Sequence, residues 1–305
     1  MWTQKNIPDQ TGKTALVTGA NSGIGYATAL ALYQAGAEVI IACRSTENAD
    51  EAIKKMKGIG GGGTLEAGVL NLASLQEVKE FADGIRKKHT QLSILINNAG
   101  VMTPPESTTA EGFELQFGVN FLGHFALTAH LYPLLKQTPG SRVVTLSSGA
   151  HRFAAAIDFD NLKSELSYDA NREYAISKLA DLQFTLELQR RINLAGEPVI
   201  SSAAHPGVTE TDLSRHMPKE AYQAALAQFK ELMPAWQGAL PTLFAATSPK
   251  AKGGDYYGPD GENELYGYPA PAKLSDAAQD AEQAQKLWNY AEKAASISFF
   301  PMNIQ

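Results

Sequence analysis

Thr14-Ala15-Leu16-Val17-Thr18-Gly19-Ala20-Asn21-Ser22-Gly23-Ile24-Gly25 joins an apolar run to a glycine turn, and Tyr26 to Gly36 continue as an amphipathic helical stretch. A strand therefore meets a helix through glycines. Glycine lets the backbone turn tightly and approach a ligand, while the N–H groups and positive dipole end of the following helix favour an anion. The junction suits a dinucleotide pyrophosphate. A second glycine run, Gly58-Ile59-Gly60-Gly61-Gly62-Gly63, has the same G-x-G-x-x-G spacing but follows a Lys-rich helical pattern (Asp50 to Lys57) and precedes a strand-like run. That order is the reverse of the one a nucleotide turn needs, so it reads as a surface connection.

Strand-like runs at 14–18, 38–42, 65–70, 93–96, 142–146 and 199–203 alternate with helical patterns. This is the rhythm of a parallel sheet covered on both faces. Ser74-Leu75-Gln76-Glu77 has capping-box spacing and leads into Val78, Phe81, Ala82 and Ile85 at helical period. Further helices are expected from about Glu111 through Leu135 and from Arg172 to Leu194, the second stopped by Gly196 and Pro198. Beyond Pro206-Gly207 come helical patterns over Pro218–Met233 and Trp236–Ala246, a strand candidate at Asp255–Tyr257 and a last helix near Ala277–Ala294. The expected fold is α/β: one doubly wound domain over residues 1–305 with a mostly parallel, seven-stranded sheet. Residues 206–271 are expected to include the part that covers the substrate, and Ser298-Phe299-Phe300 to dock on the body or on a partner subunit.

The chain has 305 residues, 44% hydrophobic and 19% charged, a balance that permits a large core. Net charge is −6 and no basic run or basic helical face is present, so neither nucleic acid nor anionic lipid is an expected partner. Met1 to Asn6 lack the apolar core of a signal peptide, and no stretch reaches the ~18 consecutive apolar residues that span a bilayer. A cytoplasmic protein without membrane contact is expected. The single cysteine, Cys43, ends a buried-looking strand and suits inert packing better than nucleophilic or metal chemistry; no metal site is expected.

Tyr174 and Lys178 lie four residues apart on the long helix, which puts both side chains on one face. An ammonium beside a phenol favours phenolate and makes tyrosine usable as an acid or base near neutrality. The fifth strand ends in Leu146-Ser147-Ser148, with hydroxyls at the carboxyl edge where open α/β sheets bind ligands. The fourth ends in Asn97-Asn98-Ala99-Gly100, and Asn120 sits mid-helix, where asparagine needs a compensating hydrogen bond. The sixth runs into His205-Pro206-Gly207-Val208-Thr209-Glu210-Thr211.

In this order, TGxxxGIG, NNAG, the helical Asn, the Ser pair, YxxxK and PGxxxT resemble the short-chain dehydrogenase/reductase family over about residues 12 to 212. Ala42-Cys43-Arg44, His205-Pro206-Gly207-Val208 and Leu287-Trp288 are most similar to its retinol-dehydrogenase and WW-domain-oxidoreductase-like subgroup. The resemblance implies that Tyr174 gives a proton to a carbonyl oxygen that Ser148 also binds. Lys178 would hold the nicotinamide ribose and tune Tyr174, and Asn120 would support a water that relays protons to Lys178. Ser148 is the better match to the family's serine, with the adjacent Ser147 left open. Gly19, Asn21, Ser22, Gly23, Ile24, Gly25, Asn71, Leu72, Asn97, Ala99, Gly100, Pro206, Thr209 and Thr211 are the implied cofactor contacts, together with Tyr174 and Lys178.

Arg44-Ser45 follow the second strand where an acidic residue would bind a ribose 2′-hydroxyl, and a guanidinium pairs instead with a 2′-phosphate. NADP(H) is the expected cofactor and NAD(H) the alternative. Asn71 stands where the family has Asp, and the His151–Asp169 segment is longer than in compact members. The expected activity is reduction of a moderately apolar aldehyde or ketone, or oxidation of the corresponding alcohol. Carbon–carbon double-bond reduction and a silent NADP(H)-binding sensor or scaffold are the competing readings. Family members often pair, so the resemblance also allows a homodimer or homotetramer.

Overall fold

The computed structural model describes residues 1–211, 213 and 232–300. The first half runs β1 (Thr14–Thr18), α1 (Gly23–Gln34), β2 (Glu38–Cys43), α2 (Thr46–Ile59), β3 (Thr64–Val69), α3 (Leu75–Lys88) and β4 (Ile94–Asn97). The second continues with a π-helical turn (Phe117–Leu122), α4 (Gly123–Lys136), β5 (Arg142–Leu146), α5 (Ala170–Ala195) and β6 (Ile200–Ala204). A helical turn at Ala235–Gly238 leads to α6 (Leu240–Thr247), β7 (Tyr256–Pro259), β8 (Pro269–Pro271) and α7 (Ala281–Ala295).

The strands form one sheet in the order β3-β2-β1-β4-β5-β6-β7-β8. The chain winds outwards in both directions from the β1/β4 pair, so the first loops after β1 and β4 part there and leave a crevice at the carboxyl edge. Seven strands are parallel, as expected, and the eighth is an antiparallel addition to β7. Pro269-Ala270-Pro271 carries no strand period, and prolines are tolerated at a sheet edge, which is where this strand lies. Alternation along the strands separates two cores: Leu16, Ile40, Leu95 and Val143 pack with α3, α4, α5 and α7. Val17, Ile41, Ile96 and Val144 pack with α1, α2 and α6 on the other face.

Caps fix where the helices begin. Ser45 accepts from Asn48 N, Ser74 from Glu77 N and Asp169 from Arg172 N, each satisfying an N–H that the helix itself leaves unpaired. The helix expected from Glu111 starts later, because Glu111 reaches across to Leu75 N at 2.8 Å and Glu114 Oε2 accepts from Phe117 N at 2.7 Å. The last helix is interrupted at Asp280, whose side chain caps α7 through Gln283 N. The helix expected over Pro218–Met233 falls largely outside the described residues.

Phe299 and Phe300 dock on the body, with ring centroids 5.1 and 5.2 Å from Tyr132. The second glycine run packs at Gly63 against the connection between α1 and β2: a Cβ there would lie 1.9 Å from Ala37 O, and Gly63 N donates to Tyr33 O. Gly63→Ala is therefore expected to lower unfolding free energy by about 1–3 kcal/mol through forced backbone displacement. Urea denaturation would measure it, with Gly58→Ala, whose Cβ meets nothing within 4 Å, as the control.

Candidate active site

Thr18, the last residue of β1, organises the crevice. Its Oγ1 accepts from the N–H groups of Asn98 and Ala99, each at 2.9 Å, while Asn98 Nδ2 donates to Thr18 O at 2.7 Å. With both acceptor directions used, the hydroxyl proton points to His124 Nε2 at 2.8 Å, closer than the alternative acceptor Ile96 O at 3.4 Å. His124 then carries its proton on Nδ1 and donates it to Asn120 O at 2.8 Å. Burial drives this imidazole down to about 4, so the neutral form that the network requires is the stable one.

Asn120 lies in the π-helical turn, where the helix widens. Its Oδ1 accepts from Val101 N at 2.8 Å, and its Nδ2 donates to Val101 O at 3.0 Å and to Ser177 Oγ at 2.9 Å. These bonds compensate for asparagine within a helix and tie the loop after β4 to α5. Gly19 has φ +66° and a Cβ there would meet Ala99 Cα at 3.0 Å; a Cβ on Gly25 would lie 2.3 Å from Gly19 O. Ser22, the cap of α1, makes no side-chain cap hydrogen bond. The α1 N-terminus therefore lines the crevice with Ser22, Gly23 and Gly25, its first N–H groups not capped by the Ser22 side chain.

At the other end, α5 presents Tyr174 and Lys178, 8% and 5% exposed. Lys178 Nζ donates to Leu146 O at 2.8 Å and to Asp181 Oδ2 at 2.9 Å, and stands 6.0 Å from the Tyr174 ring centre. Burial opposes the ammonium, yet Asp181 and Tyr174 together hold its pKa above the ordinary lysine value. The two serines differ in their surroundings. Ser147 Oγ is buried and donates to Lys178 O at 2.8 Å, whereas Ser148 is half-buried at the start of a 3-10 turn, with Oγ accepting from Ala150 N at 3.2 Å.

One cleft of about 510 Å³ joins these ends. Its wall contains Gly19, Asn21, Ser22, Gly23, Ile24, Gly25, Arg44, Asn71, Leu72, Ala99, Gly100, Ser148, Tyr174, Lys178, Pro206, Thr209 and Thr211. Three expected residues stand off that wall. Asn97 is buried behind it, with Nδ2 on Thr128 Oγ1 at 3.0 Å, and the neighbouring Asn98 takes the cleft position. Ser45 is occupied as the α2 cap and donates to Glu47 Oε2 at 2.7 Å, while Asn48 reaches the wall. Asn120 lies beneath, acting on Val101 and Ser177. Asn71 carries its own turn, Oδ1 accepting from Ala73 N at 3.1 Å and Nδ2 donating to Glu77 Oε1 at 2.9 Å. Cys43 lines the cleft, and burial raises its thiol pKa, which keeps it protonated and unreactive.

The sequence profile of short chain dehydrogenase matches residues 13–221, from β1 past the Thr211 edge of the cleft. The chain belongs to that family. It is 39% identical to retinol dehydrogenase 14 of Homo sapiens over 302 residues, which cover 92% of this chain and 85% of the relative. Among solved structures, an uncharacterised protein from Mycobacterium paratuberculosis superposes with a TM-score of 0.82 at 38% identity, covering 98% of this chain and 99% of that one. The NADP active-site complex of RhlG from Pseudomonas aeruginosa gives a TM-score of 0.65 at 25% identity, over 81% of this chain and 94% of that one.

A group that sequence reasoning missed anchors the far wall of this short-chain dehydrogenase. Glu264 Oε2 lies 3.1 Å from His205 Nε2 and accepts from Arg152 Nη2 at 2.5 Å, while Oε1 accepts from Lys273 N at 2.9 Å. The carboxylate thus joins the end of β6, the turn after Ser148 and the strand-like return beyond β8. Asn263 and Glu264 both have positive φ, 53° and 60°, a costly conformation for residues other than glycine. These partners are 112 and 59 residues away in sequence, so no local motif announces them.

Burial works against the Glu264 carboxylate, but bonds from His205, Lys273 N and Arg152 hold its pKa at about 2. A depressed acid stabilises the fold above its ordinary range and loses that contribution as pH falls towards the folded value. Unfolding free energy is thus expected to fall between about pH 5 and about pH 2 more steeply in the wild type than in Glu264→Gln. Denaturant titrations across that window would show the difference in slope.

Proposed function

We propose that this protein is an NADPH-dependent carbonyl reductase, reversible as an alcohol dehydrogenase, for a moderately apolar aldehyde, ketone or alcohol. One observation carries the reading: Ser148, Tyr174 and Lys178 share a cleft with the Gly19–Gly25 turn. The donor set suits a dinucleotide, because the α1 N-terminus and glycine backbone face the space where a pyrophosphate would lie. Arg44 and Lys178 are the cations on the described cleft wall, and no Asp or Glu lines it. That charge pattern accepts a 2′-phosphate and offers nothing to repel it. RhlG, solved with NADP, supports the same choice.

When bound, the nicotinamide supplies or accepts the hydride. Tyr174 gives its phenolic proton to the carbonyl oxygen during reduction and takes it back during oxidation. Ser148 holds that oxygen from the strand edge. Lys178, fixed by Leu146 O and Asp181, keeps a third N–H for the nicotinamide ribose and favours departure of the proton from Tyr174. Val101, Met102, Leu115, Val119, Leu213 and Leu232 give the described wall an apolar side. The name of the relative retinol dehydrogenase 14 agrees with an apolar alcohol as substrate. A double-bond reductase depending on cysteine is disfavoured, since Cys43 stays a thiol.

NADPH consumption followed with a panel of apolar aldehydes and ketones tests the reaction. Tyr174→Phe is expected to lose at least about hundredfold in kcat/KM, the scale of a general acid. Arg44→Asp should raise KM for NADPH about tenfold or more relative to NADH, through loss of a phosphate pair and introduction of a like charge. Unchanged relative KM values would remove Arg44 from cofactor choice.

A further inference from the structure

Asp181 lies one helical turn beyond Lys178 on α5, with its side chain 1% exposed. Oδ2 accepts from Lys178 Nζ at 2.9 Å, and Oδ1 has no hydrogen-bond partner among the described residues. A buried carboxylate left half-partnered weakens a fold, and an apolar residue there would avoid that penalty. Its one bonded oxygen goes to the ammonium that stands beside Tyr174 at the cleft. Leu146 O takes a second Lys178 proton, so the two acceptors together leave one N–H direction for the cleft.

We propose that Asp181 is a positioning residue for the Tyr174–Lys178 pair, aiming the Lys178 ammonium and supplying a counter-charge that limits phenolate formation at Tyr174. This rests on the acid–base reading of Tyr174 given above. Burial lifts the Asp181 carboxyl to about 7 against the pull of Lys178, so its charge changes near neutrality. Ionised, it offsets the ammonium; neutral, it leaves the full positive charge acting towards the phenol. Among the described residues, Lys178 acts on Asp181, Tyr174 and Asp181 act on Lys178, His124 from α4 faces Lys178 in its neutral form, and Tyr256 from β7, its phenol raised by burial, faces Tyr174.

Ultraviolet difference titration isolates the Tyr174 phenolate, as the spectrum of each protein minus that of its own Tyr174→Phe counterpart. It needs neither substrate nor cofactor, so it stays readable even where the proposed reaction fails. Asp181→Asn removes the charge while keeping an acceptor for Lys178. The phenolate signal is expected to move down by about one pH unit, about tenfold more phenolate at a given pH. Superimposable titrations of wild type and variant would overturn the counter-charge. Where Asp181→Asn does not fold by circular dichroism, Asp181→Ser carries the same loss of charge and must show the same displacement.

Aiming is read separately, by NADPH fluorescence. The Kd of Asp181→Asn is expected within about twofold of wild type, and that of Asp181→Leu, which offers no acceptor, about tenfold weaker. Equal Kd values for all three proteins would overturn the positioning role. A residue important only for packing would instead lower thermal stability without moving the phenolate titration.

Discussion

The hydroxyl of Thr18 is the point on which the two halves of the sheet agree. It stands at the carboxyl end of β1, where the winding reverses, and accepts both N–H groups of the turn that follows β4. Without it Asn98 N would keep only its bond to Ile96 O at 3.1 Å and Ala99 N would lose its partner among the described residues, at a cost of about 1–3 kcal/mol for the unpaired group. Because both acceptor directions are taken, the proton must leave towards His124, and that sets the tautomer that binds Asn120 O. A single side chain thereby connects the glycine turn, the loop after β4 and the π-helical turn. Asn120 carries the connection to Ser177 on α5, one residue before Lys178. The glycine-turn end and the Tyr174–Lys178 end of the cleft are parts of one hydrogen-bonded frame.

Charge in this frame is sorted by depth. The described cleft wall offers cations and backbone N–H groups, and its carboxylates stand behind: Asp181 under Lys178, and Glu264 under the turn after Ser148. An anionic cofactor therefore meets positive and dipolar groups first, while the negative charges that fix those groups are kept out of reach. The two carboxyls behave oppositely for a physical reason. Glu264 accepts from three donors on separate segments and stays ionised far into acid. Asp181 has one cationic partner and an unpartnered oxygen in full burial, so its proton is held to near neutrality.

Much of the architecture was legible because parallel strands buried on both faces appear as unbroken apolar runs, and helices between them carry their own caps. For β1 to β6 the strand ends came within a residue of the observed ones, β2 extending through Cys43 rather than stopping at Ala42, whereas β7 runs two residues past the expected Tyr257, to Pro259. β8 was not legible, since Pro-Ala-Pro has neither period nor β-branching and is held by pairing with Tyr257, Gly258 and Pro259. The π-helical turn was equally hidden, because the apolar spacing of residues 117–122 does not distinguish it from an α-helix. Most candidate cofactor contacts line the cleft because the motifs bind through backbone, whose placement follows from the strand and turn. The exceptions are side-chain matters. Asn97 is still within the strand and turns into the sheet packing, and Ser45 is consumed as a cap.

What sequence reasoning could not reach is the set of long-range partners. Tyr174 and Lys178 stand out by spacing, but Asp181 is one more acid on a helix rich in polar residues until its burial is known. Arg152, His205 and Glu264 share no motif, and strain at Asn263 and Glu264 is invisible without the backbone. The left-handed pair turns the chain so that Glu264 can face inwards across β6, and the three bonds at its carboxylate offset the conformational cost. Arg152 transmits that anchor to the 3-10 turn that begins at Ser148, and His151 in the same turn donates from Nδ1 to Ser148 O at 2.7 Å. Glu264 is thus tied to the turn that begins at Ser148, while Asn120 and Asp181 bond to Ser177 and Lys178 on α5. Two carboxylates, Asp181 fully buried and Glu264 half-buried, thus stand behind the cleft wall, each bonded to a cation, Lys178 and Arg152 respectively.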